Sequence, residues 1–402
     1  MRAETPHAHA EVPAACGAMH NAVSSRHRSW RAQGRLVYLC GSSPALGAYI
    51  KTIFKAFGFA MQMQRALILS CDATHPSYDT VRSVGEYFRP TAMNWRPPPG
   101  SSMGDVITVH IPWKSAPIAD ELLASPTHAF GIFVGNASVA LHVNEHAPNV
   151  GPFATDAHCV LRLLFAPSPA LIALARQFAS VDVFARHTRG DARKFSALHV
   201  RLGDGNMASE GWKANHTRRD WSFLFEQRHI ERGFRRDDPG STFLACYRAM
   251  LPPPHVVVAD TQSVVETAQR LGMHTTSTLG RPANFGMHGS YGAGDSRKAF
   301  VDWLLLATAE TVVAVGFKTS YSEGGDDFYV PRGERLMSWS SNFIATARAW
   351  RGADEPATRL VCAPGGPADV EADRARGFDL TTEAMRYTPH RVCPVGSCRR
   401  EL

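Results

Sequence analysis

One stretch constrains the fold more than any other, residues 35–70. It opens with "RLVYLC" (35–40), a short apolar run. "GSSP" (41–44) then supplies a turn. In the following "ALGAYIKTIFKAFGFAMQMQ" (45–64), Leu46, Ile50, Ile53, Phe54, Phe57 and Met61 recur mostly at intervals of three and four. That spacing lays apolar side chains along one face of a helix. "ALILS" (66–70) is the next strand. A strand, a helix and a strand within roughly 35 residues make a βαβ unit. The helix carries the chain back across the sheet, so the two strands run parallel.

The same alternation returns further on. "FSALHVRLGD" contains a strand ending near Arg201, and "HVVVAD" (255–260) is another strand. "TQSVVETAQRLG" (261–272) is a helix with Thr261 near its start and Gly272 at its stop. "SRKAFVDWLLLATAE" (296–310) is a helix, "TVVAVG" (311–316) a buried strand, and "KTSYSEGG" a loop after it. Between the two alternations the signals are weaker. "VITVHIPW" and "AFGIFVG" read as strands, and "SPALIALARQFASV" (168–181) as a helix opened by Ser-Pro. The expected organisation is an α/β chain of two Rossmann-like domains, over 36–185 and 190–345. A disordered arm is expected over 1–35 and a C-terminal tail over 346–402, the arm because its Ala, His and Arg show no apolar run.

Composition narrows the class. At roughly 150 residues per domain, 402 residues suggest two to three domains. With 44% hydrophobic and 20% charged residues, neither a wholly disordered chain nor a disulfide-dense scaffold fits. No run reaches the ~18 apolar residues a spanning helix needs, and no apolar leader marks a signal peptide. The net charge of +7 is diffuse, with acids interleaved in "RHTRGDARK" and "TRRDW". No basic-aromatic module accompanies it, so no nucleic-acid partner is expected. The eight cysteines are scattered and form no Cys-x-x-Cys. Cys393 and Cys398 read either as a small disulfide loop or as two idle thiols. Sequons stand at Asn136 and Asn215, and the terminal "RREL" resembles a luminal retention signal.

Three segments carry chemistry. In "ALHVRLGDGNMASEG" (197–211), His199 and Arg201 alternate with Val200, so both point to one face of a strand. A cation and a second donor at a strand end suit an anion such as a diphosphate, or else are merely exposed. Asp260 ends a buried strand, where a carboxylate accepts from a ribose or caps the next helix. Thr319, Ser320 and Ser322 follow another buried strand and offer hydroxyls to phosphate oxygens.

These segments, in this order, resemble the GDP-fucose-dependent fucosyltransferase superfamily. Its first motif, His-x-Arg-Arg-(Gly/Thr)-Asp, is similar to His199-Val200-Arg201-Leu202-Gly203-Asp204. Its second strand end is similar to Val257–Asp260, and its Ser-Thr-Phe-Ser-like loop to Thr319, Ser320, Tyr321 and Ser322. "LLFAPSPAL" (163–171) and "SPALGAYI…MQRALIL" match further family segments in outline. The resemblance implies a GT-B fold, two Rossmann-like domains facing across a cleft. It implies inverting transfer of fucose from GDP-fucose, a nucleotide-sugar donor, to a glycan or protein hydroxyl, in the lumen of the secretory pathway. It makes Arg201 the contact for the departing diphosphate, with His199 in support. Leu46, Gly47, Asp260, Thr319, Ser320, Tyr321 and Ser322 would line the donor, with Asp260 as base or ribose acceptor. Glu210 is the implied base, since some members carry a Glu one residue closer, with Asp204 in reserve. No metal is expected, and no two Asp residues lie two apart to form the Asp-x-Asp of metal-dependent transferases. Leu202 replaces the family's second Arg, while Pro44, Ala45 and Ala48 replace its Gly-Gly and Asn. Those departures point to the alternatives, a catalytically impaired relative or a transferase of another deoxy-sugar.

Two remote alternatives are a basic nucleic-acid-binding protein, which rests on the +7 charge alone, and a zinc protease, because "HVNEH" matches His-x-x-Glu-His through His142, Glu145 and His146. That match needs a helix, and Pro148 follows two residues later.

Overall fold

The computed structural model describes residues 16–40, 46–71, 78–99, 107–111, 129–134, 157–179, 195–201, 251–259, 262–280, 294–316, 342–351, 359–363 and 390–394, with a few isolated positions between them. The chain forms two compact units. The first comprises Met1–Ala173, Phe285–Ser296 and Thr346–Asp354, and the second Leu174–Asn284, Arg297–Ala345 and Glu355–Leu402.

The first unit is built on a parallel sheet of β1 (Leu36–Leu39), β2 (Ala66–Leu69), β4 (Ile107–Ile111) and β5 (Ala129–Val134). Its order is β2-β1-β5-β4, and every pairing in it is parallel. The βαβ unit forms as expected, with α2 (Leu46–Gln62) between β1 and β2. Ile50, Ile53, Phe54 and Phe57 of α2 are each no more than 3% exposed. Each such side chain contributes about 1.5–3 kcal/mol relative to exposure.

Where an arm was expected, a helix stands: α1 (Gly17–Ala32). Met19, Val23 and His27, four residues apart, are buried, and Trp30 packs on Leu36, Tyr38, Ala66 and Ile68 of β1 and β2. The expectation of disorder is thus corrected for residues 17–32. Five Arg and His residues between Met19 and Ala32 hide a stripe whose third member is itself a histidine.

Helix α3 (Tyr78–Tyr87) and the two-residue strand β3 (Phe88–Arg89) follow β2. Strand β3 pairs antiparallel with β6 (Ala166–Pro167), which follows α4 (Ala157–Leu164). The indole of Trp95 donates to the Leu164 carbonyl at 2.6 Å, and Phe165 lies against both Trp95 and Phe88. Ser168 caps α5 (Pro169–Ala175), its Oγ accepting from the Leu171 N–H at 3.2 Å, as Ser-Pro predicts. The helix is shorter than expected, because residues 176–178 form turns rather than further helix.

Two disulfides cross-link this unit. Cys16, before α1, is bonded to Cys159 of α4, and Cys40 to Cys71. The sequence reading had singled out only Cys393 and Cys398.

The second unit holds another parallel sheet, of β7 (Ser196–Arg201), β8 (His255–Ala259), β9 (His274–Thr275) and β10 (Thr311–Gly316). The order is β10-β7-β8-β9. Helix α6 (Gln262–Arg270) joins β8 to β9. It stops at Gly272, whose φ of +69° is the left-handed conformation a Cβ disfavours. Helix α7 (Gly294–Thr308) precedes β10, and from Phe300 to Ala307 every residue is buried. Helix α8 (Asn342–Arg351) begins before the expected boundary at 345. Within the expected tail, β11 (Arg359–Ala363) and β12 (His390–Pro394) pair in parallel, setting Cys362 in register with Cys393. Among the described residues, no helix is long and apolar enough to cross a membrane.

Candidate functional site

Strand β7 stands between β10 and β8. The chain leaves β7 for β8 on one side and later returns to β10 on the other. That reversal is a topological switch point, where open α/β sheets bind ligands outside the carboxyl ends of their strands. The register fixes which residues meet there. Arg201, the last residue of β7, pairs with Gly316, the last of β10. Val200 pairs with Ala259, the last of β8. All three strands therefore end level at one edge. The segments following them are those the sequence singled out: Leu202-Gly203-Asp204 after β7, Asp260 after β8, and the 317–322 loop after β10. Segments up to about 120 residues apart in sequence thus depart from neighbouring backbone.

His199 lies two residues before Arg201 on the same face of β7. It is 7% exposed, so the reading of an exposed histidine is excluded. Its ring stacks on Phe343, in the first turn of α8, with centroids 6.0 Å apart and planes 24° apart. Stacking holds the imidazole in one orientation. Phe343 escaped the sequence reading because it lies in the expected junction with the tail, with no local pattern marking it.

The first sheet has a matching switch point between β1 and β5. Leu46 and Gly47, named as donor-lining residues, occupy the first turn of α2, which faces the carboxyl end of β1. Both are buried, Leu46 to 1% exposure. Tyr49, in the same turn, is fully buried, and its hydroxyl has no hydrogen-bond partner among the described residues. Burial pushes that phenol well above its ordinary pKa. A buried orphan hydroxyl costs about 1–3 kcal/mol. Beside this turn, the Cys40–Cys71 disulfide joins the chain just past β1 to the chain just past β2, with Cα atoms 4.6 Å apart.

A further polar group lies buried in the second unit. Lys298 and Asp302 of α7 form an ion pair, and Thr276 Oγ1 donates to Asp302 Oδ1 at 2.5 Å. Burial pushes the Asp302 carboxyl up, and Lys298 opposes that shift.

Several named residues fall outside the described residues: Asp204, Glu210, Asp260, Thr319, Ser320, Tyr321 and Ser322, as do His142, Glu145, His146, Asn136, Asn215 and Cys398. For Arg201 the strand position is described and the side chain is not. Among the described residues, no group of three or more His, Cys, Asp or Glu is gathered to hold a metal ion.

No protein-family model matches the chain, and no curated protein does. Among solved structures it is similar to a mutant of Arabidopsis thaliana FUT1 in complex with GDP, at 12% identity and a TM-score of 0.44, over 87% of this chain and 79% of that one. It is also similar to NodZ alpha-1,6-fucosyltransferase soaked with GDP-fucose, at 13% identity and a TM-score of 0.35, over 79% of this chain and 92% of that one. The fucosyltransferase NodZ from Bradyrhizobium matches at 12% identity and a TM-score of 0.35, over 78% and 92%.

Proposed function

We propose that this chain is an inverting glycosyltransferase of the GT-B type, moving fucose from GDP-fucose to a hydroxyl of a glycan or protein. The observation that carries the reading is the level ending of β10, β7 and β8, which starts all three motif segments from one edge. In this reading the acceptor hydroxyl attacks the anomeric carbon of the donor as the bond to GDP breaks. Arg201 neutralises the charge growing on the leaving diphosphate, a task that preorganised donors perform without reorganising. His199, held by Phe343, positions that end of the strand. A carboxylate takes the acceptor proton, with Glu210 the first candidate and Asp204 the reserve. Asp260 accepts from the ribose, and the 319–322 hydroxyls and the first turn of α2 surround the phosphates and sugar. The two disulfides support an oxidising secretory lumen as the place of work.

The test is calorimetry with GDP and GDP-fucose on the wild type and on Arg201→Ala. Wild type binds both, and the variant loses on the order of a hundredfold in affinity or turnover. A wild type that binds neither, or a variant that binds equally well, ends the donor assignment. The replacements at Pro44, Ala45 and Ala48 favour a second reading, an impaired relative. GDP binding without transfer, with transfer restored in Ala48→Asn, would identify it.

A further inference from the structure

At the opposite edge of the second sheet lies a cleft of about 700 Å³, lined by Arg248, Leu251, Pro254, His255, Gly272 and His274, with Ala245 and Pro253 completing the wall. His255 and His274 are the first residues of β8 and β9, so the cleft opens at the amino ends of the strands. Four residue steps along β8 separate His255 from Ala259, roughly 13 Å. A ligand here would leave the carboxyl-end crevice open.

The lining has a consistent chemistry. Arg248 spends one N–H, from Nη1, on the Leu271 carbonyl at 2.5 Å, which holds the guanidinium in place at the end of α6. Its remaining donors have no partner among the described residues. His255 is likewise anchored through Nε2 to the Leu251 carbonyl at 2.8 Å, and its Nδ1 has no partner among the described residues. His274 is exposed and contributes a second imidazole. Among the described residues no carboxylate lines the cleft. Leu251, Pro253 and Pro254 give it an apolar wall, and Gly272 keeps its rim free of a side chain. A pre-oriented guanidinium with two imidazoles over an apolar wall suits an anionic head on an apolar body.

We propose that this cleft binds a small organic anion, a carboxylate or phosphate monoester carried on an apolar group. The site is independent of the donor reading. The experiment titrates phenyl phosphate, benzoate and inorganic phosphate into the full chain by calorimetry, with and without saturating GDP. Phenyl phosphate or benzoate binds saturably, more tightly than inorganic phosphate, and whichever binds more tightly identifies the anionic head. Arg248→Gln weakens binding about tenfold. Because that substitution also removes the contact to Leu271, Ala245→Glu serves as a second variant. It places a carboxylate on an exposed helical position of the lining and breaks no hydrogen bond of the lining; it abolishes binding while GDP affinity is unchanged. Absence of saturable binding, competition with GDP, or full binding by Ala245→Glu overturns the proposal.

Discussion

The two parallel sheets share a plan and are secured by different means. Each has four strands, and each has its first strand inside the order, with a switch point beside it. In the first unit, covalent bonds hold the periphery: Cys16–Cys159 ties α1 to α4, and Cys40–Cys71 ties two strand ends together. In the second, the described residues show no disulfide, and a long central register serves instead. Strand β7 pairs along six residues with β10 and along five with β8, and α7 is buried throughout from Phe300 to Ala307. The polar helix α1 buries Met19, Val23 and His27 and is tied to α4 by a cross-link as well. Helix α7 buries a longer apolar run and an ion pair within it.

The sharpest way to break this comparison is to remove the longer cross-link. Cys16→Ser with Cys159→Ser opens a loop of 143 residues, and the chain-entropy relation sets its contribution at about 5 kcal/mol. Two-probe denaturation should show an early transition for the first unit and an unchanged one for the second. Coincident shifts would mean that the units unfold as one.

The ion pair gives the next largest effect. Asp302→Asn leaves Lys298 buried without its counter-charge and should cost about 3–5 kcal/mol in urea unfolding. Lys298→Met with Asp302→Leu should recover most of that loss, since both desolvation costs vanish together. Failure to recover would show that the Thr276 hydroxyl, which donates to Asp302, carries much of the loss.

His27 provides a pH signature for the first unit. Its Nε2 donates to the Leu67 carbonyl at 3.3 Å, its Nδ1 has no partner among the described residues, and burial lowers its pKa from 6.5 to about 4. The folded state therefore resists the proton that the unfolded chain takes up. The neutral ring's contribution is fully present above pH 6.5 and is lost as pH falls toward 4, at up to about 1.4 kcal/mol per pH unit. Stability measured across that window should flatten in His27→Gln.

Tyr49→Phe is the smallest test. Removing an unsatisfied buried hydroxyl should stabilise the first unit by about 1 kcal/mol. A loss of GDP-fucose affinity in the same variant would instead give that hydroxyl a ligand.

Much of the central framework was legible in the chain. The run 35–70 announced its strand, helix and strand, because apolar period and turn residues agreed there. Strand β10 occupies the run 311–316 read from sequence. Helix α1 was not legible, because its buried stripe is short and includes His27, which no pattern of apolar residues counts. Nor were the two disulfides, whose partners are 143 and 31 residues apart. Cysteine pairing depends on Cα distance, here 5.3 and 4.6 Å, and spacing along the chain does not encode distance in space.

The candidate site divides in the same way. Residue types alone nominated His199, Arg201, Asp260 and the 319–322 loop, since cations, carboxylates and hydroxyls after apolar strands carry a recognisable chemistry. That the strands ending before these segments lie side by side was beyond the sequence. Only the order β10-β7-β8 sets Arg201 beside Gly316 and Val200 beside Ala259, and only packing brings Phe343 onto His199. Local periodicity specifies that a strand forms and which way its side chains alternate. Which strand becomes its neighbour is settled by long-range burial, and so belongs to the tertiary structure.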